Sequence, residues 1–170
     1  MAKSQFVYVT YIRTTPEKLW SALTDAEFMK QYWFGCNCES RWTAGSSWKI
    51  AYPDGRITDV GEIVEAEPPR RLVIRWRHQD KPELKAEGDS LCALELERTG
   101  TAVKLSIIHT IEREPSKFIE AVAGGWPKVI SNLKSLLETG STVLQEPYPG
   151  GSVRSTPERR AAIETRDFGT

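Results

Sequence analysis

The sequence predicts an α+β domain in which a curved antiparallel sheet of six or seven strands wraps round one long C-terminal helix, with two short helices inserted after the first strand. Three observations carry this expectation. The hydrophobic period is two through most of the chain; it switches to a helical period near Pro16 and again after Pro115; and the turn signals between strands are short, so sequence neighbours pair antiparallel.

The elements follow in order. Phe6 to Arg13 is rich in aromatic and β-branched residues. Thr14-Thr15-Pro16-Glu17 then supplies a helix start, either with Thr15 as N-cap and Pro16 at the first helical position or with Thr14 and Glu17 as a capping box. Leu19, Trp20 and Leu23 recur at helical spacing, and Asp25 opens a second short helix carrying Phe28, Met29 and Tyr32. From Cys36 the period is two. Cys36, Cys38 and Trp42 share one alternation, Trp48, Ile50 and Tyr52 the next, and Pro53-Asp54-Gly55 turns the chain into a strand from about Ile57 to Glu65. Pro68-Pro69 ends that strand, and Leu72, Ile74 and Trp76 share a face of the next. Gln79 to Asp89 is polar and reads as a loop. Leu94 and Leu96 mark a sixth strand, Thr99-Gly100 a turn, and Val103, Leu105, Ile107 and His109 one face of a seventh.

A helix is expected to close the domain, with Pro115 at its first position and Trp126, Val129, Ile130, Leu133, Leu136 and Leu137 as its apolar stripe. Lys128, Asn132 and Lys134 fall opposite. Gly124-Gly125 and Pro127 suggest a kink or a fresh start at Gly124 to Trp126, and Gly140 is the natural stop. Residues 1–139 are thus expected to form the domain. Residues 140–170, polar and carrying Pro147 and Gly150-Gly151, are expected to be a loosely ordered or docked extension.

Composition narrows the function classes. With 23 basic and 23 acidic residues the formal net charge is zero, which gives no field to gather nucleic acid or anionic lipid. No stretch approaches the length of a membrane span, and the N-terminus has no apolar signal core, so the chain reads as cytoplasmic. Three cysteines are too few and too oddly numbered for a disulfide framework. Cys36 and Cys38 lie on the same alternation as Trp42 and read as small buried apolar residues rather than metal ligands; neither a metal nor another cofactor is expected. Arg70-Arg71 and Arg75-Trp76-Arg77-His78 form a basic cluster, but alternation puts Arg75 and Arg77 on the solvated face near Glu62, Glu65 and Glu67, which argues against a nucleic-acid patch.

The candidate site residues are mostly aromatic. Phe28, Tyr32, Trp33, Trp48, Tyr52, Trp76, Phe118 and Trp126 come from the short helices, neighbouring strands and the start of the long helix, and serve equally as sealed core or as the lining of an apolar pocket where sheet and helix splay. His109 joins them on the face of the last strand. It must find a hydrogen-bond partner there, within the core or on a ligand. No phosphate loop, nucleophile elbow or zinc-protease helix is present, and no residue is assigned a catalytic role.

The chain resembles the activator of heat-shock-protein-90 ATPase homologue-like family of the START-like (SRPBCC) superfamily. The matching pieces are Thr15-Pro16-Glu17-Lys18-Leu19-Trp20 with Leu23-Thr24, Tyr32-Trp33-Phe34-Gly35, Gly61-Glu62-Ile63 leading to Glu67-Pro68-Pro69-Arg70-Arg71-Leu72-Val73, and Gly125-Trp126 with Leu133 and Leu137. The resemblance covers about Gln5 to Thr139 and implies the helix-grip fold, also called birch-pollen-allergen-like. It implies three functional expectations on one scaffold: binding of a small, largely apolar, lipid- or polyketide-like ligand in an internal cavity; a protein-interaction or co-chaperone-like role; or a cyclase- or hydratase-type enzyme using the same cavity. The first leads, with a homodimer possible. The enzyme reading requires two titratable groups facing the cavity within hydrogen-bond reach.

Overall fold

A computed structural model describes residues 2–145 of the chain. Seven strands form one antiparallel sheet in the order β1-β7-β6-β5-β4-β3-β2. The strands are β1 (Ser4–Ile12), β2 (Asn37–Ser40), β3 (Ser47–Ala51), β4 (Ile57–Glu67), β5 (Arg71–His78), β6 (Ser90–Thr99) and β7 (Ala102–Ile111), and the helices are α1 (Pro16–Thr24), α2 (Ala26–Tyr32), α3 (Pro82–Lys85) and α4 (Lys117–Thr139). The meander β2 to β7 is joined by short turns except for the segment 79–89, which carries α3 between β5 and β6, and β1 returns to pair with β7, because α1 and α2 carry the chain across to the far edge before β2 begins.

Local chemistry sets the helix starts. The Thr15 side chain accepts from Lys18 N with Pro16 at the first position, and Asp25 accepts from Glu27 N and Phe28 N to start α2. α4 begins later than the proline suggested. Ser116 is the N-cap, accepting from Ile119 N, and Pro115 lies before it. The helix then runs without a fresh start through Gly124, Gly125 and Pro127 to the left-handed Gly140. Tertiary packing of the apolar stripe outweighs these breakers, Pro127 included.

The core is the space between the inward sheet face and α4. Trp126, Val129, Ile130 and Leu133 of α4 are buried against inward residues such as Leu94 of β6 and Leu105 and Ile107 of β7, each side chain worth about 1.5–3 kcal/mol when fully buried. Asn132, expected on the polar side of α4, is instead 1% exposed. Its Oδ1 accepts from Val143 N at 3.0 Å and Leu144 N at 2.7 Å, and its Nδ2 donates to Leu144 O, so it caps the backbone that folds back after Gly140. The expectation of a loose or docked extension over residues 140–170 otherwise falls largely outside the described residues.

Two further readings change. Trp42 does not continue the Cys36 and Cys38 alternation, because β2 ends at Ser40 and Trp42 stands in a turn at φ 59°. The segment Gln79 to Asp89 is not all loop: it folds one turn of helix, α3, around the buried Leu84. That single apolar residue in a polar run is what docks it. On the outer face the expected pairing holds, with Arg75 on Glu62, Arg71 on Glu65 and Glu95, Arg70 on Glu67 and Arg77 on Asp89. Among the described residues no helix is long and apolar enough to cross a membrane.

Candidate functional site

Gly61 organises the inner surface around which the site is built. It lies directly between Trp48 of β3 and Trp76 of β5 in the strand register. A Cβ on Gly61 would fall 1.7 Å from the Arg75 carbonyl oxygen, so only glycine lets β4 and β5 approach this closely. Across the side-chain-free strand position the two indoles meet with ring centroids 4.4 Å apart, and Trp33 and Trp126 continue the cluster at 6.4 Å and 5.7 Å from Trp76.

One register step away, Asp59 of β4 stands between Ile50 of β3 and His78 of β5. Its carboxylate collects donors from three neighbours. Oδ1 accepts from Trp76 Nε1 at 2.8 Å and from His78 Nδ1 at 3.0 Å, and Oδ2 accepts from Thr58 Oγ1 at 2.7 Å. Asp59 is 8% exposed, and charge-assisted bonds of this kind are what make a carboxylate tolerable there. Because Asp59 can only accept from His78, Nδ1 carries the proton. His78 Nε2 is then an acceptor in neutral imidazole, and it is buried with no hydrogen-bond partner among the described residues.

Thr58, Asp59, Trp76 and His78 form part of the wall of a cavity of about 550 Å³. Trp33 and Phe34 from the end of α2 close one side, the latter in the left-handed region at φ 53°. Phe118, Val122, Gly125 and Trp126 bring the first half of α4. Pro82 and Leu84 bring α3. At the exposed rim, the Arg56 guanidinium stacks 4.5 Å over the Tyr52 ring and lies 3.7 Å from Asp80. Burial pushes the Tyr52 phenol up to about 12, reinforced by the Asp80 charge, so this hydroxyl stays protonated. A volume in the range of small-molecule sites, aromatic walls and a few convergent polar groups make this the candidate binding site.

The cavity is braced from the α3 side. Glu87 accepts from Ser116 Oγ, Lys117 N and Phe118 N at the start of α4. Burial pushes its carboxyl up, but those hydrogen bonds and the Arg113 charge outweigh it and leave it below the usual carboxylate range. An acid at a helix N-terminus is the favourable polarity, and here it ties the α3 segment to α4 beside the cavity.

Of the residues singled out in the sequence, Trp33, Tyr52, Trp76, Phe118 and Trp126 line this cavity. Tyr32 and Trp48 lie deeper, around a small void of about 20 Å³. Phe28 packs on Tyr32 at 5.9 Å, outside the cavity wall. His109 is fully buried and engaged within the protein. Trp126 Nε1 donates to its Nδ1 at 3.2 Å, which leaves the proton on Nε2 to be donated to Ser90 Oγ at 2.9 Å, and Ser90 in turn donates to Trp76 O. Burial pulls its pKa down to about 3, the Asp59 charge opposing only weakly, so it is neutral in the fold.

Asp59, Thr58 and Leu84 were not singled out in the sequence, and His78 was read there only as part of a basic cluster, not as a site residue. The signal for His78 was present: it continues the Leu72, Ile74, Trp76 alternation, opposite to Arg75 and Arg77, and so points inward. The cysteines are buried, and burial raises the Cys38 thiol to about 12, which disfavours the thiolate a metal would need. Among the described residues no group of three or more His, Cys, Asp and Glu side chains is placed to hold a metal ion.

Comparison with known proteins gives concordant findings. The model of the family described as Activator of Hsp90 ATPase homolog 1-like protein matches residues 13–138. A protein of Mesorhizobium loti, 25% identical, superimposes with TM-score 0.69 over 79% of this chain and 97% of that one. The Aha1 dimer from Colwellia psychrerythraea, 19% identical, gives 0.65 over 81% and 98%. An HSP90 activator from Plasmodium falciparum, 21% identical, gives 0.64 over 78% and 95%. No curated protein matches the chain.

Proposed function

The chain belongs to the Activator of Hsp90 ATPase homolog 1-like family, and within that family we propose that it binds a small, largely apolar organic molecule in the cavity between the sheet and α4, as a protein of the cytoplasm. The observation that carries this reading is the cavity itself: about 550 Å³, walled by Trp33, Phe34, Trp76, Phe118 and Trp126, with Asp59 and His78 at one side. A sealed core of the same residues would leave no such volume, since protein interiors pack to crystal density. Tyr52, Arg56, Asp80 and Lys81 supply a polar mouth, suited to an amphipathic ligand whose apolar part enters first. A thermal-shift screen of lipids, aromatic polyketides and flavonoid-like compounds tests it. A ligand at about 100 times its Kd stabilises by roughly 2.7 kcal/mol, a rise of roughly 5–10 °C for a domain of this size. A complete absence of shifts across the screen at saturating concentrations contradicts the reading.

One observation favours a second reading, a surface for a protein partner. Val7, Val9 and Tyr11 of the edge strand β1 and Leu91 of β6 are exposed on the outer sheet face, on the opposite side from the cavity. Two of the similar structures are described as an Aha1 dimer and an HSP90 activator, which makes a second copy or an Hsp90 the partners to try against this face.

A further inference from the structure

We propose that the cavity recognises a hydroxylated aromatic ring, and that the hydroxyl donates its hydrogen bond to Nε2 of His78. This rests on the ligand-binding reading above and names the chemical class it admits.

Three features of the wall point to that class. First, His78 is oriented by Asp59, whose carboxylate accepts a hydrogen bond from Nδ1–H at 3.0 Å and is itself held by Trp76 Nε1 and Thr58 Oγ1. That leaves Nε2 as the acceptor of the ring. Second, Nε2 is buried with no partner among the described residues although the ring belongs to the cavity wall. A buried acceptor left unsatisfied costs stability, and a ligand that brings a donor removes the cost on binding. A ligand that can only accept gains nothing there. Third, the cavity wall beside the cluster is aromatic. Trp76 donates to the same Asp59 oxygen as His78, and Trp33 and Trp126 stand at centroid distances of 6.4 Å and 5.7 Å from Trp76, so the polar acceptor sits next to indoles suited to an aromatic ligand. Nε2 is itself closed off from the cavity in this structure, with the Phe118 ring 6.3 Å from the His78 ring, so the bound form needs a side-chain rearrangement of the kind sites commonly make on binding.

The acid and base groups around the cluster fit a neutral donor better than an anion. Two carboxylates, Asp59 and Asp80, share this wall with His78, and an anionic group brought beside Nε2 meets Asp59 directly behind the ring. A phenol supplies a hydrogen bond without that repulsion.

The test compares 2-naphthol with 2-methoxynaphthalene, which has the same ring system and an ether oxygen that accepts but cannot donate. Binding is read by quenching of tryptophan fluorescence, since Trp33, Trp76 and Trp126 line the cavity. Wild-type protein should bind 2-naphthol about tenfold more tightly than the ether, the size expected for one hydrogen bond to a buried acceptor. In His78→Phe the ratio should fall to about one, whatever change in affinity the two probes share. Equal affinities in the wild type overturn the proposal without needing any variant, and so does a preference for naphthol that survives in a folded His78→Phe protein. In both of those cases the cavity still binds aromatic molecules and the ligand-binding reading stands. If neither probe binds at all, this proposal fails, and the thermal-shift screen decides the ligand-binding reading separately.

Discussion

The neighbours of His109 fix its protonation state. The indole of Trp126 can only donate, so Nδ1 must be bare, and the proton on Nε2 continues a chain through Ser90 to the backbone of Trp76. Protonating Nδ1 breaks the first link and places a charge in the core. With a folded pKa of about 3 against the ordinary 6.5, the unfolded chain binds the extra proton between those values and the folded chain does not. The sign is therefore a loss of stability as pH falls below about 6.5, continuing toward 3, at up to about 1.4 kcal/mol per pH unit. Urea unfolding at pH 7 and pH 5 checks this. The His109→Leu protein should be less stable at pH 7 by about 1–3 kcal/mol, because Trp126 Nε1 and Ser90 lose their partner, yet should lose less than the wild type on going to pH 5. An identical pH dependence in the two proteins would count against the neutral, fully engaged histidine.

At the scale of elements, the site depends on three strands meeting around one glycine. β3, β4 and β5 place Trp48, Gly61 and Trp76 in one row and Ile50, Asp59 and His78 in the next, so the aromatic wall and the acid–histidine pair share a single register. Gly61→Ala forces a Cβ to within 1.7 Å of the Arg75 carbonyl, and β4 must separate from β5 to accommodate it. Destabilisation of at least about 2 kcal/mol is expected in chemical denaturation, with loss of cavity binding in whatever fraction stays folded, because the Asp59–His78 pair straddles the same two strands. A Gly61→Ala protein as stable as the wild type would show that the strands have slack at this point. Had the chain been long-side-chained at position 61, the two indoles flanking it could not meet.

For the whole molecule, the strand periods, the helix caps at Thr15 and Asp25 and the stripe of α4 made the architecture legible, because each depends on local chemistry or on an alternation visible over a few residues. In two places where the reading changed, a long-range contact decided the outcome. Asn132 is buried because residues 143 and 144 return to it, and Leu84 folds α3 because it reaches the body. The same holds for the site. Aromatic residues on inward faces were visible as a set, but which of them border open space depends on how far α4 stands from β3 to β5, and that is a property of packing rather than of period. Asp59 was hidden for a different reason: an isolated aspartate in a strand gives no periodic signal, and its meaning comes from His78 and Trp76 on the strand beside it.

The central claim is that this volume is a binding site, and the most direct measurement is the equilibrium binding of one neutral, fluorescent apolar probe, N-phenyl-1-naphthylamine, to wild-type protein and to Ala121→Trp. Ala121 borders the cavity from the exposed side of α4, so an indole there fills the opening without overpacking the core. The account predicts one saturable site per chain in the wild type and at least about a tenfold loss of affinity in Ala121→Trp, with circular dichroism and unfolding midpoint unchanged. Unsaturable binding, or saturable binding that the tryptophan leaves untouched, would place the probe elsewhere on the molecule and contradict the claim.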